Sequence, residues 1–76
     1  VEVMSVTFPR IRDLREDSDK TQAQVAEYLH MKRGVYRRYE SGEREIPVWA
    51  LIRLAALYGV STDYLLGLSD RREPVR

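Results

Sequence analysis

Between Lys32 and Gly42 the chain reads KRGVYRRYESG, setting four cations, Lys32, Arg33, Arg37 and Arg38, around Val35, Tyr36 and Tyr39, with Glu40 the one acid. Arginine's planar fork donates two parallel hydrogen bonds to guanine O6 and N7, or to a phosphate, so this grouping suits recognition of base edges and anions. Wound at about 100° per residue, the stretch puts Val35, Tyr36 and Tyr39 on one side and Arg33, Gly34, Arg37, Arg38 and Ser41 on the other. The aromatic side is expected to face a core and the cationic side to face outward. A helix of that kind fits the major groove of DNA. Gly34 costs it about 1 kcal/mol relative to alanine, offset if the backbone must come close to a base edge or thymine methyl. Charge alone is equally compatible with a solvated basic face, so the neighbouring elements have to decide.

Those neighbours are short helices. In TQAQVAEYLH, Thr21 and Gln24 form a T-x-x-Q capping box, in which each side chain pairs with the other's free backbone N–H and fixes the helix start. Val25, Ala26 and Leu29 give this helix a buried stripe ending near His30, and a tight turn then leads into the basic helix over about 32–41. A short helix, a tight turn and a second short helix make a helix-turn-helix. Upstream, Thr7 is a candidate cap and Pro9 a first-turn residue for a helix over about 9–17, with Ile11 and Leu14 on its inner face. Downstream, PVWALIRLAALYGV is apolar almost all round, which predicts a fourth helix packed centrally, Trp49 included. Gly59 stops it, Ser61 caps a short fifth helix, and Gly67 closes that one.

The expected organisation is therefore an all-α domain of five helices over residues 8–68. Residues 1–7 are expected as an N-terminal extension, in which Met4 is a candidate natural start, and 69–76 as a flexible tail with little to bury.

Composition narrows the function classes. A 76-residue chain fits one small domain. It has no cysteine and a single histidine, His30, which excludes disulfides, thiolate metal sites and multi-histidine sites. No nucleophile, base and orienting group assemble convincingly from this inventory, so no enzyme and no cofactor are expected. The carboxylates of REDSD and GERE lack a metal-loop pattern and are expected as solvated surface. His30 is expected as a surface helix-end residue, and the tyrosines as core, with Tyr28 the most exposed. No signal peptide or membrane span is evident, so a soluble cytoplasmic protein is expected. The net charge is only +1, but residues 32–45 carry five Lys/Arg against three Asp/Glu. The excess is local.

TQAQVAEYLHMKRGVYRRYESGEREIP followed by LIRLAALYGVSTDYLLG resembles the DNA-binding domain of the phage repressor and Cro family, the XRE-type helix-turn-helix family. The resemblance runs from about Phe8 to Gly67. It rests on Thr21-Gln22, the small Ala26, the ending Tyr39-Glu40-x-Gly42, Pro47 and GVSTDYLLG, in order and spacing. It implies a lambda-repressor-like fold and a regulator of transcription, most simply a repressor. By the same resemblance Lys32, Arg33, Gly34 and Arg38 occupy base-reading positions. Arg37 lies on the same face, open between a base and the flanking phosphate. Gln22, Ser41 and Arg44 fall where the family meets the DNA backbone, and Glu40 where it pairs with a first-helix arginine, here Arg15. Lys32, Gly34 and Val35 depart from the residues common at their positions, which bears on base preference.

The implied partner is a double-stranded, pseudo-palindromic operator bound by a homodimer, with half-sites about 34 Å apart. The fifth helix and adjoining tail are the expected dimer surface. No small-molecule ligand and no membrane partner are expected. The competing reading is a protein-interaction module, an antitoxin or bridging adaptor on the same fold. It depends on an apolar surface near Leu65 to Leu68 and little on Arg33 or Arg38.

Overall fold

The computed structural model describes residues 8–73, and the expected N-terminal extension lies outside them, as do Thr7 and the last three residues of the expected tail. The described residues form five helices: α1 (Pro9–Asp17), α2 (Gln22–Tyr28), α3 (Arg33–Ser41), α4 (Val48–Tyr58) and α5 (Thr62–Leu66). No strand occurs among them.

Each boundary has a local cause. The cap position of α1 falls on Phe8, without a side-chain hydrogen bond, and Pro9 supplies the first turn's preset φ. The capping box of α2 is complete: the Gln24 N–H donates to Thr21 Oγ1 at 3.1 Å, and the Thr21 N–H to Gln24 Oε1 at 2.9 Å. Helix α2 ends at Tyr28, and His30 then takes a left-handed φ of 57°. The Met31 N–H donates back to the Ala26 carbonyl at 3.0 Å, so the chain turns within a few residues into Lys32, the cap position of α3. Ser61 caps α5, its hydroxyl accepting from the Tyr64 N–H at 3.0 Å.

One core holds the helices together, built from Ile11 and Leu14 of α1, Val25 and Ala26 of α2, Tyr36 of α3, Ala50, Leu51, Leu54 and Ala55 of α4, and Leu65 of α5. Leu29, Ile46 and Val60 from the connections complete it. Among the helix pairs α2 and α3 make the most extensive contact, and α1 packs against both α3 and α5. That arrangement seats the helix-turn-helix on α1 and leaves the far side of α3 uncovered.

Two expectations change. Helix α4 is central on one face only: Val48, Trp49 and Ile52 are 70%, 47% and 56% exposed. The sequence is apolar around most of the helix, but among the described residues no other element covers these positions, which lie one, three and four residues apart on a single outer face. Trp49 is therefore not a core residue; the Arg53 guanidinium lies 5.6 Å from its ring centre. Residues 69–72 of the expected tail are tied to the domain. The Ser61 N–H donates to the Arg72 carbonyl at 2.8 Å and the Ser61 hydroxyl to the Arg71 carbonyl at 3.2 Å. From α1, Arg10 donates to the carbonyls of Tyr64 and Ser69 at 2.8 and 2.6 Å and to Asp70 Oδ1 at 2.7 Å. Its guanidinium also sits 4.1 Å from the centre of the Tyr64 ring.

Candidate nucleic-acid interface

Helix α3 divides as its wheel requires. Tyr36 is fully buried, Val35 and Tyr39 are half-buried, and Arg33, Gly34, Arg37, Arg38 and Ser41 are exposed together with Lys32 at the cap. The five expected base-contacting positions thus share the uncovered side of one helix. At Gly34 an added Cβ would meet nothing within 4 Å, so packing within the protein does not demand glycine there.

Beneath α3 lies a polar brace. Arg15 Nε and Nη2 donate to the two carboxylate oxygens of Glu40, both at 2.9 Å, a bidentate pair joining α1 to α3. Nearly desolvated, the side chains of Glu40 and Arg15 are 4% and 13% exposed. Gln22, at the start of α2, donates to Glu40 Oε1 at 3.2 Å, and Arg15 Nη1 donates to the Lys20 carbonyl at 2.9 Å. Helices α1, α2 and α3 therefore meet at one carboxylate. Burial disfavours the charged form of Glu40, but the Arg15 hydrogen bond, followed by the neighbouring Tyr36 hydroxyl and the Gln22 amide, outweighs it and holds the carboxyl below its ordinary range. Burial first, and then the Glu40 charge, push the Tyr36 phenol up and the Tyr58 phenol to about 12. The Tyr36 hydroxyl lies beside the carboxylate without full hydrogen-bond geometry. Because the Glu40 charge is matched inside the fold, it does not cancel the cations outside.

Around the C-terminal end of α3 the expected backbone-contacting residues are placed by the turn at Gly42, which adopts φ 86°. Ser41 Oγ donates to the Arg38 carbonyl at 3.2 Å and accepts from the Glu43 N–H at 3.4 Å. The Arg44 N–H also reaches the Arg38 carbonyl, at 3.2 Å, leaving the Arg44 side chain exposed beside α3. This turn brings Glu43 back against the helix, where it accepts from Arg37 Nη1 at 3.2 Å. Glu43 follows α3 in the chain, so the outward face of the helix itself carries no acid, but the turn sets one beside it. A separation of six residues is not a helical neighbour spacing, and only the left-handed turn at Gly42 makes the pair. A residue absent from the sequence reading also joins this region: Arg12 of α1 borders the same cleft as Arg37, Gln22 and Ser41. Its signal was its position one turn before Arg15 on α1.

His30 is exposed at the turn rather than within the basic face, and among the described residues no group of three or more His, Cys, Asp or Glu side chains is disposed to hold a metal ion. No described helix is long and apolar enough to cross a membrane.

Comparison with known proteins gives this geometry its context. A family model described as helix-turn-helix matches residues 11–65. The uncharacterized HTH-type transcriptional regulator YobD of Bacillus subtilis (strain 168) is 40% identical over 65 residues, covering 86% of this chain and 58% of that protein. The HTH-type transcriptional regulator ImmR of the same organism is 38% identical over 61 residues, covering 80% of this chain and 48% of that one. A third, the SPbeta prophage-derived uncharacterized HTH-type transcriptional regulator YonR, is 35% identical over 57 residues, covering 75% and 53%. The chain spans about half the length of these curated relatives. No solved structure matches it. With its two short helices, their tight turn and the brace beneath them matched within the family's own span, the chain belongs to the XRE-type helix-turn-helix family.

Proposed function

We propose that this chain is the DNA-binding domain of a sequence-specific transcriptional regulator, acting as a repressor, which inserts α3 into the major groove of double-stranded DNA. The observation that carries the reading is the division of α3: buried Tyr36 on one side, and exposed Lys32, Arg33, Gly34, Arg37 and Arg38 on the other, over a carboxylate already neutralised by Arg15. Arg33 and Arg38 read bases, with Lys32 and Gly34 at the close approach. Gln22, Ser41 and Arg44 hold the backbone and set the register without reading sequence. Family membership and the regulator names of the relatives support the same class. The reading needs no cofactor and no catalysis, and it belongs in the cytoplasm.

The regulator acts as a homodimer on a pseudo-palindrome, with half-sites about 34 Å apart. Support for a second copy comes from α4 rather than from α5. Val48, Trp49 and Ile52 form an exposed apolar face, continuous through Ile52 with a groove lined by Ala55, Ala56, Gly59, Val60 and Asp63. Apolar side chains beside an apolar groove suit an isologous contact, in which each copy fills the other's groove. The patch also carries opposite charges, Arg53 and Asp63, that a two-fold axis can pair. The adaptor reading expected its apolar surface near Leu65 to Leu68; Leu65 is buried, and of this run only Leu68 is a large exposed hydrophobic.

Binding to mixed-sequence and selected duplexes over a salt series tests the proposal. The expected result is a linear fall of log affinity with log salt, of slope about −0.9 per phosphate neutralised. Arg33→Ala and Arg38→Ala are expected to lose about 1–3 kcal/mol, mainly on the selected site. Absence of duplex binding at low salt, or variants that bind like the parent, would hand the α4 face and the arginines to a protein partner.

A further inference from the structure

A cleft of about 250 Å³ opens between α1, α2 and α3, lined by Arg12, Arg15, Gln22, Arg37, Glu40 and Ser41. Three of its six lining residues are arginines, and its carboxylate, Glu40, is spoken for by Arg15 and Gln22. Arg12 and Arg37 stand at the rim from different helices. Each is held there by an exposed carboxylate outside the cleft: Arg12 Nε lies 3.5 Å from Glu16 Oε1, and Arg37 Nη1 lies 3.2 Å from Glu43 Oε1. We infer that this cleft is a seat for one backbone phosphate of duplex DNA, clamped by Arg12 from α1 and Arg37 from α3 over Gln22 and Ser41, with Glu16 and Glu43 as counterions that the phosphate displaces. The inference rests on the DNA-binding reading, adds Arg12 to the interface, and assigns Arg37 to the backbone rather than to a base.

The chemistry favours a phosphate over a base edge. A guanidinium can serve either, but two guanidiniums that line one cleft from different helices, beside the Gln22 amide, offer several donors to a multi-oxygen anion. Arg37, already turned toward Glu43 at the C-terminal end of α3, lies on the cleft side of the helix, whereas Arg33 and Arg38 do not line the cleft. Exposed ion pairs such as Arg12–Glu16 and Arg37–Glu43 contribute little net stability and exchange readily. Their effect is to orient the guanidiniums while lowering the long-range attraction of the site for any polyanion. That makes Glu16 and Glu43 tuning residues, which restrain sequence-independent binding by a chain with an uncovered basic helix.

The test is a salt series on one selected duplex and one mixed-sequence duplex, using the parent, Arg12→Gln, Arg37→Gln and Glu43→Gln. Loss of one phosphate contact is expected to lower affinity roughly eightfold at 0.1 M salt and to reduce the salt slope by about 0.9 for each protomer bound. For Arg12→Gln and Arg37→Gln these changes are expected on both duplexes alike, because phosphates carry no sequence. Glu43→Gln is expected to tighten binding on both, a gain that no misfolded chain can produce. An Arg12→Gln variant with the parent's slope overturns the seat, as does an Arg37→Gln variant whose loss is confined to the selected site. A Glu43→Gln variant that binds no tighter overturns the counterion role. A parent that binds no duplex overturns the DNA-binding reading as well, so the two failures are distinguishable.

Discussion

Gly34 and Glu40 show how differently two residues of one helix are constrained. Among the described residues nothing lies within 4 Å of a β-carbon added at Gly34, so Gly34→Ala is expected to stabilise the chain by about 0.5–1 kcal/mol through helix propensity. If the glycine admits a base edge or a thymine methyl, the same variant binds its selected duplex more weakly while melting higher, two readouts that move in opposite senses. Glu40 behaves in reverse. Glu40→Ala strands the buried Arg15 guanidinium and is expected to cost about 3–5 kcal/mol, seen as a large fall in the denaturation midpoint before any loss of intrinsic affinity. An unchanged midpoint would contradict the brace. The acid limb follows from the same carboxyl, held below its ordinary 4.5 in the fold. A group with a depressed folded pKa contributes its full stability above the unfolded value and loses it as pH falls through the folded one. Melts from pH 6 to pH 3 should therefore decline below about pH 4.5 in the parent, and decline less in Glu40→Gln. Residue identities made much of this legible: Arg15 and Glu40 were paired by the family resemblance, and they meet. The Arg37–Glu43 pair was not legible, because it depends on the chain reversal at Gly42 rather than on helical spacing.

At the scale of elements, the turn between α2 and α3 sets sequence against conformation, as does Asp19 at φ 55° between α1 and α2. His30 occupies a left-handed conformation that costs an L-residue with a β-carbon about 1–2 kcal/mol. His30→Gly is expected to recover a good part of that, raising the melting temperature by about 4–8 °C per kcal/mol in a domain of this size. A lower melting temperature would mean that the imidazole makes a compensating contact. Helix starts were readable because caps are local chemistry: the Thr21 and Gln24 box and the Ser61 cap both form as their residue types require. The docking of residues 69–72 could not be read in that way. It uses the backbone carbonyls of Ser69, Arg71 and Arg72, and the arginine that binds Ser69 is 59 residues away. A stretch without apolar residues looked unanchored, although its anchor is polar. Helix α4 misled in the opposite way, since an apolar sequence specifies what prefers burial but not which neighbour provides it.

For the molecule as a whole, the basic side of α3 and the apolar side of α4 are two exposed surfaces of different chemistry. Ile52 is more than half exposed, so Ile52→Glu is expected to change stability by no more than about 0.5 kcal/mol. If α4 forms the contact between copies, the variant sediments as a monomer at concentrations where the parent is a dimer, and it loses affinity for a two-half-site operator but not for a single half-site. A parent that is monomeric both free and on a two-half-site operator would return the face to a protein partner. The relatives are about twice as long as the segment they share with this chain. Site selection from random duplexes, done in parallel for the parent and for Arg33→Ala, tests most directly whether α3 reads bases through its outward arginines. The expected result is a two-fold symmetric consensus for the parent, and for the variant the same consensus relaxed at one base pair in each half-site. Identical consensus sequences, or none for the parent, would contradict it.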